Sequence, residues 1–134
     1  MNRKWFLLLA MVGGVAGSGL IDIEPSTASA QDPDCRQAQT QAELNQCAEL
    51  SAKRADRELN QVYQQVLKKQ TPELSSLLVK AEEDWIKYRD ASCTFSRQRF
   101  AGGSAAPMVH GFCIARLTKQ RTEELEGYLK KGNF

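Results

Sequence analysis

The sequence holds a single histidine, His110, and its four cysteines are separated by 11, 45 and 19 residues. A structural zinc site needs closely spaced Cys or His pairs, so zinc binding is excluded and no metal or cofactor is expected. Runs of alternating apolar and polar residues are missing, which removes the signature of a β-sheet. No long block of one charge exists either. The net charge is +2, and "KK" at 68–69 and 130–131 and "RQR" at 97–99 are short enough to be solvated helix faces. Nucleic acid is therefore not an expected partner. The uninterrupted apolar run near the N-terminus reaches only about half of the roughly 20 residues that span a bilayer.

That run belongs to a different pattern. Arg3 and Lys4 precede the apolar "WFLLLAMVGGVAG", and "STASA" then places Ala28 and Ala30 before Gln31. A basic start, an apolar centre and an A-x-A site define a secretory signal peptide, here residues 1–30. Cys35 follows "QDPD" rather than a lipobox, so lipid anchoring is not expected. Removal of the signal leaves 31–134 as one domain, exported to the periplasm or beyond, with no stable membrane insertion. Four cysteines in an oxidising compartment read as two disulfides.

Three helices account for the exported part. Thr40 and Glu43 have the spacing of a capping box. Beyond them Leu44, Cys47 or Ala48, Ser51, Ala55, Leu59, Val62 or Tyr63, and Val66 form one apolar stripe to about Gln70. Pro72 interrupts it, and Thr71 as N-cap with Pro72 behind it restarts a second helix. Its stripe runs through Leu74, Leu77 or Leu78, Ala81, Trp85, Tyr88, Ser92 and Phe95, ending near Phe100 before Gly102 and Gly103. A third helix is expected to begin between Pro107 and Gly111, to carry Phe112, Arg116 or Leu117, Leu125, Tyr128 and Leu129, and to stop at Gly132. The fold class is all-α, a small antiparallel three-helix bundle.

The cysteines fit this plan. Cys93 and Cys113 flank a turn centred on Gly103, so antiparallel helices bring them together. Cys35 precedes the Thr40 cap, and a bond to Cys47 staples the N-terminal arm to its own helix. The two other connectivities require longer-range proximity that nothing in the pattern demands.

Catalysis is not expected. His110 stands without a motif around it. Ser104 lacks both the nucleophile-elbow and phosphate-loop spacings. Trp85, Tyr88 and Arg89 share a helical face, on which the two aromatics should pack in the core. Asp56, Asn60, Arg89 and Asp90 are expected to form a structural polar network.

"DCRQAQTQAELNQC", "DRELNQVY", "DWIKYRDASC", "GGS" and the final cysteine follow one another in an order that resembles the LprI-type lysozyme inhibitor family. The likeness covers about residues 35–129. It implies an exported helical domain that inhibits lysozyme, a glycoside hydrolase working through two carboxyl groups in a cleft. The family's namesake is a lipoprotein, and the present chain departs from it there. The loop 101–111 is the candidate inhibitory element: Gly102 and Gly103 form a tight tip, Ser104 is a donor, Met108 and Val109 form an apolar flank, and His110 is a further candidate contact. A cell-envelope binding module using an aromatic groove near Trp85 and Tyr88, or an envelope stress protein, are the alternatives.

Overall fold

A computed structural model describes residues 34–130; the expected signal peptide and the stop at Gly132 lie outside the described residues. Three helices follow one another: α1 (Gln41–Leu67), α2 (Pro72–Gln98) and α3 (Ala106–Lys130). No strand occurs among the described residues.

The helix starts are set by side chains the sequence advertises. The Glu43 N–H donates to Thr40 Oγ1 at 3.2 Å, and the Thr40 N–H donates to Glu43 Oε2 at 2.9 Å. Backbone donors of Thr40 and Gln39 hold the Glu43 carboxyl below its ordinary pKa. Thr71 caps α2 by accepting from the Leu74 N–H at 3.4 Å, with Pro72 as the first helical residue. The α2–α3 connection turns at Gly102, whose φ of +79° is the left-handed conformation that glycine adopts without a steric penalty.

Cys93 on α2 and Cys113 on α3 are bonded, as are Cys35 and Cys47, with Cα separations of 5.5 and 5.6 Å. α2 runs antiparallel to its sequence neighbours, because Cys93 meets Cys113 while Glu82 meets Arg121. α1 and α3 consequently run in the same direction, and they come very close. A Cβ placed on Gly111 would lie 2.8 Å from the carbonyl carbon and Cβ of Ala48. Small residues line this contact, with Ala48 and Gly111 buried and Ala52 half-buried.

The core has two apolar clusters with charge between them. Cys93, Cys113, Ile114 and Leu117 pack with Ala52 at one end. Leu59, Val66 and Leu125 pack with Val62, Tyr63, Leu78, Trp85 and Leu129 at the other. Between them Arg89 of α2 donates to Asp56 of α1 at 2.8 Å and to Thr118 of α3 at 3.2 Å. Arg121 donates through Nε to Glu82 at 2.7 Å, the only carboxylate that is buried among the described residues. No buried side-chain polar atom among the described residues lacks a partner.

The phase of α2 departs from expectation. Leu74, Leu77, Tyr88 and Phe95, the main residues of its apolar stripe, are exposed. The inward face instead carries Leu78, Glu82, Trp85, Arg89 and Cys93. Tyr88 is therefore not a core residue. The disulfide, the buried Glu82–Arg121 pair and the part-buried Arg89–Asp56 pair orient this helix, overriding much of its apolar periodicity. On α3 Leu117 and Leu125 point inward as expected, whereas Phe112, Arg116 and Tyr128 face outward and Ile114, Thr118 and Thr122 take further buried positions.

Candidate functional site

The turn between α2 and α3 is where the chain presents exposed backbone on a rigid base. Ala101, Gly102, Gly103 and Ser104 are all exposed. Gly103 donates its N–H to the Phe100 carbonyl at 3.0 Å, and Ala106 donates to the Gly103 carbonyl at 3.3 Å. Successive short-range bonds thus make the segment a compact turn. The Cys93–Cys113 bond fixes the helices on either side of it.

A second clamp comes from α1. Asn45 Nδ2 donates to the Ser104 carbonyl at 3.1 Å, and Asn45 Oδ1 accepts the Met108 N–H at 3.1 Å. The first N–H groups of any helix lack intrahelical partners, and Asn is among the best side chains at supplying one. Here the capping side chain belongs to a different helix, more than sixty residues upstream. Gln41 Nε2 supports it by donating to Asn45 Oδ1 at 3.1 Å, and also approaches Met108 Sδ at 3.6 Å. This clamp lets α3 begin at Ala106, ahead of the expected range, with Pro107 in the first turn where its missing N–H costs nothing.

The expected loop 101–111 is accordingly shorter. Met108 and His110 are half-buried residues of α3, whereas Gly102, Gly103 and Ser104 stand at the exposed tip. Beside the tip lies an open concavity of about 480 Å³, whose walls include Arg97, Gln98, Gly102 and Pro107. Arg97 and Arg99 are exposed, and neither forms an ion pair among the described residues. The site thus combines a glycine tip, one hydroxyl and two guanidinium groups. Such a set binds carboxylates through charge-assisted hydrogen bonds.

The polar network around Arg89 joins Asp56 and Asp90, and the Trp85 ring lies 5.2 Å from the guanidinium carbon. Asn60 and Tyr88 are exposed and take no part in it. With Arg89 bonded to α1 and α3 at once, and its side chain only 13% exposed, the network braces the fold. Its chemistry is internal. Asn45 went unrecognised as a site residue from the sequence. Its signal was the "AELNQC" segment, which reads as ordinary helix until the α3 terminus is placed beside it.

A small all-α domain stapled by two disulfides, with a braced polar core and an ordered turn, is the class of protein these features define. The family model described as "Lysozyme inhibitor LprI" matches residues 33–125, and the chain belongs to that family. An uncharacterized protein of Rhizobium meliloti (strain 1021) is 37% identical over 115 residues, covering 76% of this chain and 83% of its own. No solved structure matches.

Proposed function

We propose that this chain is an exported, non-catalytic inhibitor of a lysozyme-type glycoside hydrolase, and that the α2–α3 turn enters the enzyme's cleft. Membership of the family supports the class of target. The observation that carries the mechanism is the double clamp on an exposed glycine tip, by Cys93–Cys113 on one side and Asn45 on the other. Binding loses less free energy when the inserted segment is already ordered. The paired carboxyl groups of a glycosidase cleft are acceptors for Arg97, Arg99, Ser104 and the tip amides. The net charge of +2 offers no long-range attraction to a basic enzyme, so short-range fit must supply the affinity. Two disulfides agree with an oxidising compartment, and no helix among the described residues is long and apolar enough to cross a membrane.

The test is lysis of bacterial cell walls by animal and bacterial muramidases in the presence of titrated, oxidised protein. A second protein carries Gly103→Leu and Ser104→Trp, which alter the tip and keep the Ser104 carbonyl that Asn45 binds. Saturable inhibition by the first and not by the second is expected. Absence of inhibition at micromolar concentrations of folded protein overturns the reading for those enzymes.

A further inference from the structure

We propose that α2 is a self-association surface, on which a second copy of this chain pairs antiparallel through Leu74, Leu77, Tyr88 and Phe95. Leu77 is 67% exposed, Tyr88 60% and Phe95 69%, an unusual display for large apolar side chains on a helix that already packs in a core. They are not scattered. Positions 74, 77, 81, 84, 88, 91, 95 and 98 alternate in steps of three and four, the seam of a coiled coil, and all lie on the outer side of α2. From Leu77 to Phe95 this seam runs about 27 Å along the helix.

Charge decides what covers it. Among the exposed ionic groups of α2, Glu73, Glu83 and Asp84 outnumber Lys80 in the first half. Lys87 and Arg97 outnumber Asp90 in the second, and Arg99 follows at the C-cap. A parallel pair sets like halves together, whereas an antiparallel pair sets each acidic half against a basic one and opposes the helix dipoles. The seam also selects a register. With the two-fold axis level with Ile86, Leu77 meets Phe95 of the second copy, Ala81 meets Ala91, and Asp84 meets Tyr88. Apolar thus faces apolar at 77–95, small faces small at 81–91, the one seam carboxylate faces a phenolic donor, and Leu74 at each end falls opposite Gln98. Asp84 is bonded within its own helix by Lys80 and Lys87, so the centre of the seam carries compensated charge. The Gly102–Gly103 tips lie beyond the ends of the seam, at opposite ends of the pair; Arg97 and Gln98 border both surfaces, and sedimentation reads the pairing without reference to inhibition.

Sedimentation equilibrium of the oxidised protein over a micromolar to submillimolar range reads the state directly. The expected result is a concentration-dependent rise to twice the chain mass. Leu77→Glu and Phe95→Lys, both at exposed positions, should each stay monomeric with unchanged helical circular dichroism. Mixing these two variants should restore the doubled mass, because in the stated register Glu at 77 faces Lys at 95 while the opposite end keeps its Leu–Phe contact. A wild-type protein that stays monomeric throughout overturns the proposal. So does a dimer indifferent to both substitutions, or a mixture that fails to re-form one.

Discussion

Asn45 caps a helix to which it does not belong: its Oδ1 accepts the N–H of Met108, at 3.1 Å, from across the α1–α3 contact. The same side chain donates to the Ser104 carbonyl, so one residue holds both the start of α3 and the end of the exposed tip. Asn45→Ala should lower stability by about 1–2 kcal/mol, the usual range for a lost cap. Amide hydrogen exchange should accelerate at residues 103–109 and stay unchanged in the middle of α2. Asn45→Asp keeps the acceptor and loses the donor, and should fall between the two.

Gly111→Ala should destabilise the protein, although alanine in a helix interior ordinarily gains about 1 kcal/mol over glycine. The added carbon would meet main-chain as well as side-chain atoms of Ala48 at 2.8 Å, and main chain does not rotate away. Overpacking of this kind costs about 1–3 kcal/mol. A lower Tm checks the sign. Ala48→Gly in the same chain should rescue only in part, since the backbone carbon and oxygen of residue 48 remain in the way.

The Glu82–Arg121 pair should be worth far more than the surface pairs. Burial opposes the charge on Arg121, but its hydrogen bonds to Glu82 and Glu124 outweigh that and raise its pKa. Glu82→Ala leaves this guanidinium in the interior with one partner fewer, at a cost of about 3–5 kcal/mol. Glu49→Ala, which breaks an exposed pair with Lys53, should cost below about 1 kcal/mol. Urea denaturation of the two variants separates the cases.

Tyr63 should make the protein alkali-sensitive. Burial, and then the charges of Glu82 and Glu83, push its hydroxyl above the ordinary tyrosine pKa. A pKa raised in the folded state contributes stability that is whole below the unfolded value of about 10 and is lost as pH rises through the folded one. Tyr63→Phe removes this dependence. The difference in urea midpoint between variant and wild type should therefore shift in favour of the variant between about pH 9 and pH 11.

Much of the fold was legible in short stretches. The caps at Thr40 and Thr71 are local devices, and both operate as their spacing indicates. On α1 the apolar stripe points inward at Cys47, Ala48, Ala55, Leu59 and Val66, because nothing competes with it. The hairpin symmetry about Gly103 pairs Cys93 with Cys113. On α2 the same reasoning about periodicity succeeds at Leu78 and Trp85, which pack inside, and fails at Leu74, Leu77, Tyr88 and Phe95, which face out. Glu82 and Arg89 look like surface residues in isolation, and only partners on other helices, Arg121, Asp56 and Thr118, make their burial favourable. Within the site, Gly102 and Ser104 are identifiable from their residue types, whereas the role of Asn45 exists only once α1 and α3 lie side by side.

That side-by-side packing has a consequence for how the molecule comes into being. A close backbone contact joins the first helix to the last, Ala48 to Gly111, with the whole of α2 as the loop between them. Contacts so distant along the chain are slow to form, since the connecting segment must be ordered before they return any stabilisation. A chain released N-terminus first holds only α1 and a helix whose inward face carries Glu82 and Arg89, two charges without their full complement of partners. Leu78, Trp85 and Arg89 can already meet Leu59, Val66 and Asp56 of α1, but that pairing leaves Glu82 without its arginine and the cluster without Leu125. The arrival of α3 supplies Thr118 and Arg121 to those charges, Gly111 to Ala48 and Cys113 to Cys93, so that a single late segment converts an open strand of chain into a domain.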